Sequence, residues 1–313
     1  MFLLTPVFKD YIWGGNRLKT DFGFENELDK TAEAWMLSCH KDGENTVSDE
    51  NGVKALSEVL TKDMLGTDCS DGKLPILIKL IDAKDNLSLQ VHPGDEYAKR
   101  VENDNGKTEC WYILDCDENA QLIYGFRQDI SPEEFRKSIE NGTVLDIVNH
   151  IKVHKGDFFF IPSGTLHAIG KGILLAEIQQ NSNTTYRVFD YNRLGNDGKP
   201  RQLHIDKAVD VTNCTVPENT GKPQGETVRF PQGERTLLTD CKLFSVNAYK
   251  IDGEITLTAD EKSFVSLLVT DGNGTVTDKD KTLEIKKGSS VFIPAGSGEI
   301  KILGKLDFLE TRV

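Results

Sequence analysis

The stretch Lys155-Gly156-Asp157-Phe158-Phe159-Phe160-Ile161-Pro162-Ser163-Gly164-Thr165-Leu166-His167 returns as Lys287-Gly288-Ser289-Ser290-Val291-Phe292-Ile293-Pro294-Ala295-Gly296-Ser297-Gly298-Glu299. Lys, Gly, Phe, Ile, Pro and Gly recur in register. Each copy reads as a turn, a buried strand and a Pro-x-Gly bend. Such a repeat implies two related β-units, one on each side of a connection. Cys214 to Arg235 supplies that connection. It carries Pro217, Pro223, Pro231, Gly221, Gly225 and Gly233 and few apolar residues. The expected organisation is an N-terminal domain over 1–215, a linker over 216–234 and a C-terminal domain over 235–313. At 313 residues and 34.9 kDa the chain is long enough for both.

Strand signals dominate. Phe158 to Ile161, Gly172 to Gln180, Glu254 to Thr258 and Phe264 to Thr270 are β-branched or aromatic, or alternate in polarity. Asp271-Gly272 and Asn273-Gly274 are pairs that favour hairpin turns. Helical signals are few. Val53, Leu56, Leu60 and Met64 recur at helical spacing. Ser131-Pro132-Glu133-Glu134 opens a helix with a capping serine, a first-turn proline and a capping-box glutamate, and Gly142 stops it. A second short helix is expected from Thr143 to about Ile151, so a helical insertion spans about 131–151. The fold class is mainly β with a helical minority.

Lys and Arg number 37 against 50 Asp and Glu, a net charge of −13. A broadly acidic surface repels phosphate backbones, which disfavours nucleic acid, yet a local basic pocket remains compatible with a small phosphorylated ligand. No run of about 18 uncharged apolar residues exists, so no membrane partner is expected. Met1 to Pro6 lacks the basic start and long apolar stretch of a secretory signal. Six cysteines are scattered and never form Cys-x-x-Cys. Reduced thiols and a cytoplasmic location are the expectation. The oligomeric state is left open.

Gly-x5-Pro-x-Gly-x2-His in the first copy resembles the second motif of the cupin family, small double-sheet barrels of the jelly-roll kind. In that family the last residue of the motif binds a metal, here His167. The second copy ends in Glu299, and no histidine follows His204. The resemblance therefore implies a metal in the first of two tandem barrels and none in the second. Leu87 to Asp95 supplies the upstream motif. On a strand, Ser88, Gln90 and His92 share one face and Leu87, Leu89 and Val91 the other. Glu109 in Lys107-Thr108-Glu109 adds a carboxylate. An amide oxygen, two imidazoles and a carboxylate, without thiolate, suit Zn²⁺, one per chain, and also permit Mn²⁺, Fe²⁺ or Co²⁺.

The resemblance then narrows. Gln-Val-His-Pro, Lys-x-Glu, Gly-Thr-x-His-Ala-Ile-Gly and Glu-Ile-Gln-Gln-x-Ser-x-x-Thr-Tyr-Arg are similar to type I mannose-6-phosphate isomerases. So are Tyr11-Ile12-Trp13-Gly14-Gly15 and Glu33-Ala34-Trp35-Met36-Leu37-Ser38. The length matches the short bacterial form. That likeness implies an aldose–ketose isomerase interconverting mannose 6-phosphate and fructose 6-phosphate through a cis-enediol, its metal held by Gln90, His92, Glu109 and His167. It places the active-site arginine at Arg187 and a substrate-reaching lysine at Lys107. A guanidinium can grip a phosphate or an enediolate through paired hydrogen bonds.

One departure stands out. Four residues before the arginine the family often has Asp, and here the residue is Asn183. An amide does not shuttle a proton, which leaves Lys107, Glu177 or a metal-bound water as the acid/base. Trp13 is read as core or as a sugar-stacking wall, Ser38 and Ser88 as sugar contacts, and Glu177 and Gln179 as supports or pocket lining. His40, His150, His154 and His204 lack partners at ligand spacing and read as structural or surface. Lys79, in the apolar run Pro75 to Ile81, must point into a polar pocket or snorkel out, since an unpaired buried ammonium is costly. Two competing readings are an Fe²⁺ cupin dioxygenase, disfavoured by the polar Ser88, Lys107 and Arg187 group, and a non-catalytic sugar-phosphate sensor, favoured by Asn183.

Overall fold

The computed structural model describes residues 1–49, 52–195, 198–217 and 221–313. Two antiparallel sheets form the first half. One runs in the order Phe158–Ile161, Glu109–Cys116, Ile173–Gln180, Ile76–Ala83, Glu33–Leu37, Val7–Lys9. The other runs Val148–Lys152, Gln121–Phe126, His167–Ala168, Leu89–Val91, Tyr186–Phe189.

The six-stranded sheet is covered on both faces, so every residue of Ile76–Ala83 and of Ile173–Gln180 is buried. Alternation still separates the faces. Ala34, Ile78, Leu80, Cys110, Ala176 and Ile178 pack against Phe244, Leu268, Phe292 and Leu309 of the second half. Ile81, Trp111, Ile113 and Leu175 pack toward the five-stranded sheet with Trp13, Leu122 and Tyr124. Lys79 and Glu177 lie on that second face, which therefore carries the polar cavity.

The repeat is visible in the strand order. Phe158–Ile161, Glu109–Cys116, Ile173–Gln180 and Ile76–Ala83 lie side by side in the same sequence as Ser290–Ile293, Val265–Thr277, Gly298–Arg312 and Ser245–Ala259. Gly156 and Gly288 take φ of 92° and 86°, and Gly164 and Gly296 take 85° and 73°, left-handed values that glycine adopts without strain. The strand Phe2–Thr5 pairs with Ser290–Ile293 on one side and Thr46–Asp49 on the other, so the chain's start is built into the larger sheet of the second half.

Ser131 and Glu134 form the expected capping box at the helix Pro132–Glu140. Three other expectations are corrected. Val53 to Met64 is not one helix. Gly52–Ala55 pairs with Thr46–Asp49, and only Leu56–Val59 and Lys62–Leu65 are helical, separated at Leu60 in extended backbone (ψ 125°) and recapped by Thr61. The helix after Thr143 ends at Ile147, because Val148–Lys152 pairs with Gln121–Phe126. Asp271-Gly272 and Asn273-Gly274 turn no hairpin and lie inside the strand Val265–Thr277. A bulge there bends the strand against Gly298–Arg312, and a Cβ on Gly272 would stand 2.1 Å from the Lys305 carbonyl oxygen. The connection is not wholly irregular. Thr227–Phe230 pairs with Gly233–Asp240, and residues 218–220 lie outside the described part. Among the described residues no helix is long and apolar enough to cross a membrane, and all six cysteines are free.

Candidate active site and metal centre

Register brings the candidate ligands together. His167 stands directly opposite Gln90, and Gln90 directly opposite Arg187, so three neighbouring strands present a row of side chains on one face. Glu109 enters from the facing sheet. Ligand atoms of His92, Glu109 and His167 lie within 4.8 Å of one another, and all three residues are buried.

Each imidazole is oriented from behind. His92 Nδ1 is 2.9 Å from the Thr184 carbonyl oxygen, and His167 Nδ1 is 2.8 Å from that of Thr165. A carbonyl only accepts, so Nδ1 carries the proton and each Nε2 lone pair faces inward. Burial, then the Lys107 ammonium and His167, holds the His92 pKa well below its ordinary value. Burial lowers that of His167 to about 4. Both rings are therefore neutral near pH 7, the form that binds a metal.

Glu109 is the unusual member. Both oxygens are buried without a well-formed hydrogen bond, although Oε2 lies 2.8 Å from Lys107 Nζ. Burial and the nearby Glu177 carboxylate raise its pKa. A buried carboxylate with unused lone pairs, facing two imidazole nitrogens at 3.5 Å, fits a divalent cation. Gln90 points its amide nitrogen at His167 Nε2, 3.5 Å away, and its oxygen accepts from Ser88 Oγ at 3.3 Å. A half-turn of the amide presents the oxygen instead.

Behind the ligands, Lys79 sits between Glu33 at 3.7 Å and Glu177 at 3.4 Å, and Glu177 also lies 3.6 Å from Lys107. Trp111 donates to Glu177 at 3.0 Å and Trp35 to Glu33 at 2.7 Å. Burial opposes each charge, yet the partners outweigh it, so Lys79 is raised and Glu177 lowered in pKa. Lys79 thus points into the pocket. These groups face a cavity of about 310 Å³ walled by Tyr11, Trp13, Leu87 and Ile169, with Arg187 and Arg201 also lining it.

Comparison with known proteins follows this geometry. Residues 1–121 match the domain described as phosphomannose isomerase type I, catalytic domain, and residues 233–313 match the mannose-6-phosphate isomerase cupin domain. Mannose-6-phosphate isomerase ManA of Bacillus subtilis is 41% identical, over 96% of this chain and 94% of its own. The chain belongs to the type I phosphomannose isomerase family. A mannose-6-phosphate isomerase from Streptococcus mutans is 38% identical over 94% of this chain and 92% of its own. The crystal structure of the Bacillus subtilis mannose 6-phosphate isomerase superimposes with a TM-score of 0.92, at 39% identity, covering 100% of this chain and 99% of that one.

Within this family frame, the cavity brings together Trp13, Ser88, Gln90, Lys107, Glu177 and Arg187, all named from the sequence. Trp13 stacks on Tyr11, ring centroids 5.4 Å apart, so it is both core and cavity wall. Ser38 is placed elsewhere. Its hydroxyl donates to the Gly43 carbonyl oxygen at 2.6 Å and accepts from His40 N at 3.0 Å, which fixes a tight turn. Asn183 reaches the cavity wall and donates to Asp42 at 2.9 Å. His204 is structural, as expected, since its Nδ1 accepts from Arg187 N at 3.1 Å. Tyr11, Glu33 and Arg201 were missed. Tyr11 closes the turn that carries Trp13, its carbonyl oxygen accepting from Gly14 N at 2.9 Å, and this turn sets the two rings side by side. Nothing local marks Arg201.

In the second half the same positions differ. Val265 faces Ile293 as Glu109 faces Ile161, and Thr258 faces Glu299 as Gln90 faces His167. A valine and a threonine are not a metal-binding pair.

Proposed function

We propose that this chain is a metal-dependent aldose–ketose isomerase that interconverts mannose 6-phosphate and fructose 6-phosphate. The observation that carries the reading is the buried trio His92, Glu109 and His167, with Lys107 Nζ 2.8 Å from Glu109 and itself lining a cavity that Arg187 also lines. We take Gln90 as the fourth ligand and Zn²⁺ as the ion, because the donors are nitrogen and oxygen with no thiolate. When bound, the ion supplies positive charge beside the sugar's carbonyl and hydroxyl oxygens.

The remaining work falls to the chain's own side chains. Thr184 and Thr165 carbonyls keep the imidazoles turned inward. Isomerisation moves a proton between the two carbons that bear those oxygens, and negative charge develops on oxygen. The half-buried Arg187 side chain, whose Nε is buried and unpartnered, offers donors for that charge. Lys107, between Glu109 and Glu177, is the candidate for holding and passing the proton. Asn183 cannot do so, and Glu177 is anchored by Trp111 and two ammonium groups.

The test is an enzyme-linked assay with mannose 6-phosphate, with and without chelator. Turnover that chelator removes and zinc restores is expected. No isomerisation at any loading with zinc, manganese, iron(II) or cobalt overturns the reading. Tight binding without turnover in the loaded protein would point to a sensor instead.

A further inference from the structure

The Lys-Gly pair that opens each copy of the repeat has no part in the metal site, yet both copies reach one place. Lys155 and Lys287 line a second cavity, of about 530 Å³, between the two halves. The two cavities share no lining residue. Both halves build the second one alike. Gly156 N donates to the Ile113 carbonyl oxygen at 2.8 Å, and Gly288 N donates to that of Val269 at 2.9 Å. Each accepting strand then bulges, between Ile113 and Asp115 and between Val269 and Asp271, and both aspartates join the lining.

The charges of this cavity are only partly matched. Arg17 is satisfied, since it donates to Asp21 at 3.0 Å and also to Asp115. Lys250 lies 3.7 Å from Glu234. Lys155, Lys287, Asp271 and Asp307 line the same space, and none of them forms an ion pair or a side-chain hydrogen bond with a described residue. Lys287 Nζ rests instead over the Phe22 ring, 4.8 Å from its centroid. Asp271 stands directly opposite Asp307 on the neighbouring strand, and like charges opposed in a sheet repel. In the first half the place opposite Asp115 is held by Leu174. Burial raises the Asp307 pKa against the pull of Lys250, and Asp271 adds to the rise.

Two ammonium groups and two carboxylates therefore stay open in one cavity. Residues whose sole task was to lace the halves together would close on one another, as Arg17 closes on its two aspartates. A ligand with one sign of charge meets repulsion from half of the set, whereas one that carries both signs matches all of it. Two lysines suit a dianion. Phe22, Ile113 and Leu174 supply apolar wall for the carbon between the charged ends.

We propose that the cavity between the two halves binds a small phosphate that also bears an amine, with the phosphate on Lys155 and Lys287 and the ammonium on Asp271 and Asp307. The site stands apart from the metal centre and does not depend on the isomerase reading.

The experiment titrates the metal-loaded full chain with phosphoethanolamine by calorimetry, beside inorganic phosphate and ethanolamine, which carry one end each. The titrations are repeated on K155Q/K287Q, D271N/D307N and R187Q, with thermal unfolding as the check on folding. Phosphoethanolamine is expected to bind about tenfold or more tightly than either fragment, and each double variant to weaken it about tenfold or more. R187Q, in the other cavity, should bind it as the wild type does. D271N/D307N removes a repulsion and should melt no lower than the wild type. If K155Q/K287Q melts early, the single variants K155Q and K287Q take its place, each expected to weaken binding about threefold or more. Absence of heat from millimolar phosphoethanolamine in the wild type overturns the proposal. So does inorganic phosphate that binds as tightly, or affinity that survives the lysine or the aspartate substitutions. Affinity lost in R187Q alone overturns it too, since the ligand then sits in the metal cavity.

Discussion

His167 and Gln90 stand face to face in the five-stranded sheet, 77 residues apart in sequence and one strand apart in space. His167 Nδ1 is committed to the Thr165 carbonyl, so Nε2 has one task left. His167→Ala should lower metal occupancy more than tenfold and abolish turnover together. Elemental analysis after dialysis, paired with the isomerase assay, checks it. Full metal content in the variant would remove His167 from the ligand set.

Arg187→Ala separates binding of the ion from chemistry. The side chain lines the cavity without touching the trio's imidazoles, so metal content should stay at the wild-type level. Turnover should fall by about 10² to 10³, the usual cost of removing one preorganised donor to developing negative charge. Steady-state kinetics on the metal-loaded variant gives the answer.

Lys79→Met should be among the more damaging single changes. It strips the cation from Glu33 and Glu177, both buried, and breaking a buried ion pair from one side costs about 3–5 kcal/mol. Adding Glu177→Gln should recover part of that loss, because the second change removes an uncompensated charge. Urea unfolding of the single and double variants measures both.

Acid should destabilise the metal-free protein through its neutral histidines. The folded-state pKa of His167 is lowered to about 4 from 6.5. Its stability contribution is complete above pH 6.5, where both states hold the ring neutral. As pH falls toward 4 the unfolded chain binds a proton that the folded chain refuses, and stability drops by on the order of 3 kcal/mol. Urea midpoints from pH 7.5 to 4.5 should show a steeper decline in wild type than in His167→Gln. Parallel declines would contradict it.

Much of the site is written in local patterns. The strand alternation of Ser88, Gln90 and His92 announces a polar face, and Ser131 with Glu134 announces the helix start seen in the structure. Paired glycines mislead where packing overrides turn preference. Gly272 lies against Lys305 and Leu306, and Gly274 against Leu303 and Gly304, inside a strand rather than a hairpin, since a long strand crossing a close neighbour needs the absence of a Cβ as much as a turn does. The helical spacing of Val53 to Met64 fails for a similar reason. Its first residues find a strand partner in Thr46–Asp49, and a pairing made elsewhere in the chain leaves no mark in the spacing.

By itself, the sequence determined the β character of the chain, its internal repeat, the donor types gathered at the candidate metal site and the different residues in the second copy, because these depend on residue identity and short-range period. Only the tertiary structure decided that Lys79 is caught between two carboxylates, that Ser38 belongs to a turn, and that Lys155 and Lys287 line one cavity. Those relations are set by cross-strand register and by the packing of one half on the other. Register joins residues whose distance along the chain carries no information about their distance in space.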